Sequence, residues 1–137
     1  MARQLHAHLN PASLPDRAAL QQALDALKLG LKIDGPWSPE GPAGYLPFTV
    51  MGEDAGVYLA MEHDQPPPAA LAPEGGALTA RLGLRWGGDA REQLTAVALG
   101  AALAASFGAV VVDPDTATLR PADALLRQAR TLRDENF

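Results

Sequence analysis

The sequence predicts a two-layer α+β domain, a mainly antiparallel twisted sheet of five to seven strands with helices packed mostly on one face. Three observations carry this. Gln4–Leu9 and Leu78–Trp86 alternate apolar and polar residues with the period of two expected of half-buried strands. Two segments, Leu20, Leu24, Leu27, Leu31 and Leu125, Leu126, Ala129, Leu132, repeat apolar residues at helical spacing. Between them, Leu94–Val112 carries no charge and divides into an Ala-rich helix and a Val-rich strand. A chain of 137 residues fits one domain, 1–137, large enough to bury about two thirds of the surface it exposes when unfolded.

The first strand, Gln4–Leu9, places Leu5, Ala7 and Leu9 on one face and Gln4, His6 and His8 on the other. Ser13 and Asp16 bracket Pro15 with the residue types of a helix start, which predicts a helix over about 14–29 ending near Gly30. A short strand at Leu31–Asp34 leads into Gly35–Gly44, where three prolines and three glycines prevent regular structure around Trp37. Tyr45–Met51 and Val57–Met61 read as hairpin strands joined by Gly52–Gly56. Pro47 lacks a donor, which puts the first of these strands at an edge or a bulge. A second excursion through Pro66-Pro67-Pro68 to Gly76 precedes the strand Leu78–Trp86, with Thr79, Arg81 and Arg85 on its polar face.

Leu94–Val112 meets the length criterion for a membrane span, about 18 apolar residues. Its start argues otherwise. Asp89 and Glu92 have the spacing with which side chains satisfy the first amides of a helix in water, and Gly108 suits the left-handed turn that ends one. The reading is a helix over 90–107 followed by a strand through Val110–Val112. Strand, helix and strand over 78–112 then form one βαβ crossover, with parallel strands if the two pair directly. Ala98, Gly100, Ala101 and Ala105 let that helix approach the sheet closely, and Ser106 falls among the residues buried with it. Asp113-Pro114-Asp115-Thr116 has the chemistry of a turn, Ala117–Leu119 can pair back, and Pro121 opens a last helix over about 121–133.

The motifs that could carry chemistry are few. With no cysteine, thiolate sites and disulfides are excluded. Val110–Val112 followed by Asp113-x-Asp115 resembles the first motif of haloacid-dehalogenase phosphotransferases. Thr116 and Ala117 stand where that family has Gly and then Thr or Val, so a proline turn is the better reading. Gly87-Gly88-Asp89 precedes a helix, but a carboxylate at the cap repels phosphate, and no phosphate-loop pattern is present. His6 and His8 project from one strand face and could share a metal, with His63 as the remaining imidazole. Among surface features, Trp37 and Tyr45 are candidate aromatic anchors, and Glu53 and Asp54 a candidate acidic rim.

A net charge of −5 with thinly spread basic residues argues against nucleic acid. The expectation is a small acidic cytoplasmic protein that binds another protein of basic or mixed surface, without catalysis, cofactor or membrane. A bacterial toxin's immunity partner or a secretion chaperone is the type expected. One alternative is a metal-binding or small-molecule enzyme or sensor built on His6 and His8. The other is a structural subunit, for instance a homodimer joined at a sheet edge.

Overall fold

The computed structural model describes residues 3–137. Along the chain run β1 (Gln4–Leu9), a 3-10 turn (Pro11–Ser13), α1 (Arg17–Ala26), β2 (Leu31–Ile33), β3 (Gly44–Leu46), β4 (Phe48–Val50), β5 (Glu53–Asp54), β6 (Val57–Glu62) and β7 (Ala80–Arg85). They are followed by α2 (Ala90–Phe107), β8 (Val110–Asp113), β9 (Thr118–Leu119) and α3 (Ala122–Asn136). Six strands form an antiparallel sheet in the order β3-β6-β7-β1-β8-β9, and β2, β4 and β5 form a second, small sheet. The α+β class is as the patterning predicts. Among the described residues no helix is long and apolar enough to cross a membrane.

The crossover from β7 through α2 to β8 is present, but its strands do not touch. β1 lies between them, antiparallel to both, so β7 and β8 run parallel at one remove. An 18-residue helix spans about 27 Å, and stepping over one further strand adds only about 5 Å. The inserted β1 presents Leu5, Ala7 and Leu9 to the helix layer, all buried. They join Leu59, Leu82, Leu84 and Val111 in one apolar sheet face. α2 lies on this face with α1 and α3 beside it, and every residue from Leu94 to Leu103 is buried.

Close approach explains the small residues of α2. A Cβ at Gly100 would stand 3.3 Å from Leu125 Cδ1 and 3.6 Å from Val111 Cγ1, so α3, the sheet and α2 meet closely enough there that even a methyl group would press on the Leu125 side chain. Ala98 and Ala101 are buried as expected. Ala105 and Ser106 are exposed, contrary to the sequence reading, because the neighbours that surround the middle of α2 no longer cover its last turn. The ends match their signals: Asp89 Oδ1 accepts from Arg91 N at 2.9 Å, and Gly108 caps with φ +70°.

Several boundaries differ from the sequence reading, among them α3, which runs on to Asn136, and β7, which is confined to Ala80–Arg85. α1 begins at Arg17, not near residue 14, since Asp16 Oδ1 accepts from Ala19 N at 2.7 Å while Ser13 ends a separate 3-10 turn. It also stops at Ala26, where Lys28 and Gly30 with positive φ turn the chain away. The run Tyr45–Met51 is two strands in two sheets. Pro47 cannot donate to a ladder, and at this break β3 stays on the edge of the large sheet while β4 joins the small one. The Pro47 carbonyl accepts from Asp34 N at 2.9 Å. Met51 and Gly52 both carry positive φ, as a two-residue hairpin turn requires. Glu53–Asp54 therefore pair back on β4 instead of forming a long loop.

Candidate functional site

All three helices belong to one side of the large sheet, which leaves the other side to polar and aromatic residues. Register places them in three cross-strand rows. The first runs Tyr45, Tyr58, Arg85, Gln4; the second Ala60, Gly83, His6, Val112, Leu119; the third Glu62, Arg81, His8, Val110. Gly83 and Ala60 have almost no side chain in the middle row. The result is a trough of about 390 Å³ bordered by Gln4, His6, Tyr58, Glu62 and Arg85.

One end of the trough is aromatic and cationic. The Tyr45 and Tyr58 rings meet edge to face at 5.2 Å, and Arg85 Cζ lies 5.1 Å from the centre of the Tyr58 ring. Tyr45 and Tyr58 are 47% and 45% exposed, large apolar area left in water on a β-surface. Burial of its hydroxyl raises the Tyr45 pKa, and the charges of Glu92 and Asp54 push the same way. Arg81 is paired with Glu62, Nη2 to Oε1 at 2.9 Å, so this face alternates charge of both signs.

The opposite end is closed by chain. After β6 the segment through Pro66 and Pro68 passes over the third row, and His8 is only 2% exposed beneath it. The Gln65 carbonyl lies 2.7 Å from His8 Nδ1, which sets that nitrogen as the protonated one. Burial is the main cause that lowers the pKa of both His6 and His8; Arg81's charge adds to it in each, and Gln65 opposes it at His8.

The residues singled out from sequence are only partly gathered. Tyr45 is on the uncovered face, at the edge strand. Trp37 is half-buried and packs against the core, sharing with Tyr45 a cleft along Pro36–Leu46. Glu53 and Asp54 sit on β5 of the small sheet, where Glu53 Oε1 lies 3.4 Å from Arg91 Nη1. Asp54 is near enough for its charge to act on Tyr45. His6 and His8 share a face with rings 6.2 Å apart. His63 is not with them; it lies past the end of β6 with Nε2 3.4 Å from Glu40 Oε2. Among the described residues no three His, Asp or Glu side chains are placed to hold a metal. Asp113 accepts from the Asp115 and Thr116 amides and so serves the turn.

Tyr58, Gly83, Arg81 and Arg85 are the site residues that sequence did not single out. Alternation already assigned both arginines to the polar face of their strand. Their neighbours across the sheet depend on strand order, which local patterning does not encode. No protein-family model matches the chain, and no curated protein or solved structure matches it either.

Proposed function

We propose that the protein is a non-catalytic binding protein whose partner, another protein of mixed surface charge, docks on the uncovered face of the six-stranded sheet. The observation that carries this reading is the exposed Tyr45, Tyr58 and Arg85 cluster at the rim of the trough. Tyrosine and arginine are enriched in interface hot spots, because tyrosine covers a large area at little entropic cost and keeps a polar tip, and arginine adds a planar cation that stacks on aromatic faces. The alternation of Arg81 and Arg85 with Glu62 and Asp115 suits a partner carrying both signs. In biological terms this fits a small acidic cytoplasmic protein that inhibits or escorts another, in the manner of an immunity protein or secretion chaperone.

The test is affinity capture of the native partner by the wild-type chain and by Tyr58→Ala/Arg85→Ala. The double variant should melt like the wild type and retain less partner. Undiminished capture by the folded variant contradicts the reading. Concentration-dependent self-association that the same double change abolishes would replace it with a second copy of this chain as occupant.

A further inference from the structure

The geometry points to Gly56 as a positioning residue for the docking face: its bare backbone seats the phenol of Tyr45 and fixes that ring as a preformed anchor beside Tyr58. The inference rests on the docking reading above and adds to it a residue that lies outside the trough.

Register shows why position 56 matters. Tyr45 pairs with Tyr58 across the edge ladder, and Gly56 stands one residue before β6, so alternation puts positions 56, 58 and 60 on the uncovered face. A large side chain on one strand reaches the diagonal neighbours of its partner, two residues before it or two after. For Tyr45 these are Gly56 and Ala60. Leaning over Ala60, the ring would fill the trough that Ala60 and Gly83 border. It leans over Gly56 instead. A Cβ built on Gly56 would overlap the Tyr45 hydroxyl oxygen and Cζ, and would stand 2.8 Å from the Leu46 carbonyl oxygen. The φ of Gly56 is not in the left-handed region, so what this glycine supplies is the missing side chain and not backbone freedom.

The seat has a chemical signature. Tyr45 leaves its ring flank in water, yet burial of its hydroxyl is the main cause that raises its pKa. Glu92 on α2, Asp54 on β5 and Tyr58 on β6 push the same way, and the Gly56 backbone opposes them. The polar tip is thus tucked in at the junction of both sheets with α2 while the ring stays available. Its edge-to-face contact with Tyr58 at 5.2 Å holds the other side. An aromatic fixed in this way before binding has little freedom left to lose when a partner covers it.

The experiment is NMR of the full chain labelled at tyrosine. Tyr45 and Tyr58 are its two tyrosines, and Tyr58→Phe assigns their signals. In the wild type the Tyr45 ring protons should contact the Gly56 α-protons, and the phenol should ionise above the ordinary 10. In Gly56→Ala the contact with Tyr58 should be lost and the pKa should fall back toward 10, since the displaced hydroxyl returns to water. The added methyl also crowds the Leu46 carbonyl, so this variant can lose stability; the wild-type ring contact needs no variant and stays decisive. Affinity for the captured partner then separates a seat from a merely structural glycine. Gly56→Ala should weaken binding severalfold in the wild-type background and no further in the Tyr45→Ala background. Equal losses in both backgrounds overturn the inference, as does a wild-type Tyr45 ring without contact to Gly56. Undiminished capture by Tyr58→Ala/Arg85→Ala removes the docking face and with it the role of the seat, whereas absent ring contacts with capture still sensitive to that pair remove the seat alone.

Discussion

The two faces of the six-stranded sheet are built from the same strands by alternation, and they differ in almost everything else. On the helix-covered face Leu5, Ala7, Leu9, Leu59, Leu82 and Leu84 are buried against α2 in a dry, close-packed layer. On the other face the alternate residues of those strands are His6, His8, Tyr58, Arg81, Gly83 and Arg85, partly in water and linked by ring and charge contacts. Close packing is concentrated on the first face, and exposed aromatic and charged side chains on the second. A substitution should therefore affect one property with little cost to the other.

The largest effects belong to the covered face. Leu84→Ala removes a fully buried side chain in the middle of the sheet. It should cost about 2–5 kcal/mol, seen as a lower midpoint in chemical denaturation. Ala101→Leu adds volume where α2 has no space, and should cost about 1–3 kcal/mol and lower the melting temperature by several degrees. An unchanged midpoint for either variant would break the comparison, since it would show this face to be loosely packed.

An intermediate effect is expected where the two properties overlap. His8 lies on the uncovered face yet is buried by the proline segment, and that burial, with Arg81's charge, holds its folded-state pKa below the ordinary 6.5. The unfolded chain binds a proton more readily than the folded one. The stability this group contributes is thus complete above pH about 6.5 and is lost as pH falls through its folded value. His6 shifts in the same direction. The melting temperature should decline between pH 7 and 5, before the carboxylates Asp25 and Asp89, whose pKa values lie below their ordinary 3.8, begin to protonate. In His8→Asn, whose amide nitrogen stands in the place of Nδ1 and can still donate to the Gln65 carbonyl, the decline should be shallower. An equal slope in both proteins would show that His8 is not the sensor.

The two faces were also unequally legible in the sequence. Leu and Ala at positions of period two and 3.6, the Asp89 cap and Gly108 sufficed for the α+β class, the bounds of α2 and the buried face. What local pattern could not supply was adjacency: that β1 enters between β7 and β8, and that Pro47 sends one apolar run into two sheets. The candidate site depends on that adjacency. Tyr58 meets Arg85, and Arg81 meets Glu62 and His8, only once the register β6-β7-β1 is set. Trp37, Glu53 and Asp54 stood out by residue type, and yet they lie apart from the trough.

The smallest stability effects belong to the exposed positions. Tyr58→Ala/Arg85→Ala and Glu53→Lys/Asp54→Lys should each change stability by no more than about 1 kcal/mol, since all four residues are exposed at the surface. They should differ in binding. The tyrosine and arginine pair should matter more for partner affinity than the acidic pair, whose effect should appear in the association rate at low salt. Measured rate constants for the two variants against the captured partner would show the reverse order if the β4–β5 hairpin were the main contact.

The central claim is that the uncovered sheet face is where a partner binds. It is tested most directly by hydroxyl-radical footprinting of the chain alone and in complex with its captured partner. Tyr45 and Tyr58 report on the proposed face, and Met51, 67% exposed at the hairpin tip of the small sheet, serves as an internal reference. Oxidation of Tyr45 and Tyr58 should fall on binding while that of Met51 is unchanged. Protection of Met51 with both tyrosines still fully oxidised would place the interface on the small sheet and contradict the account.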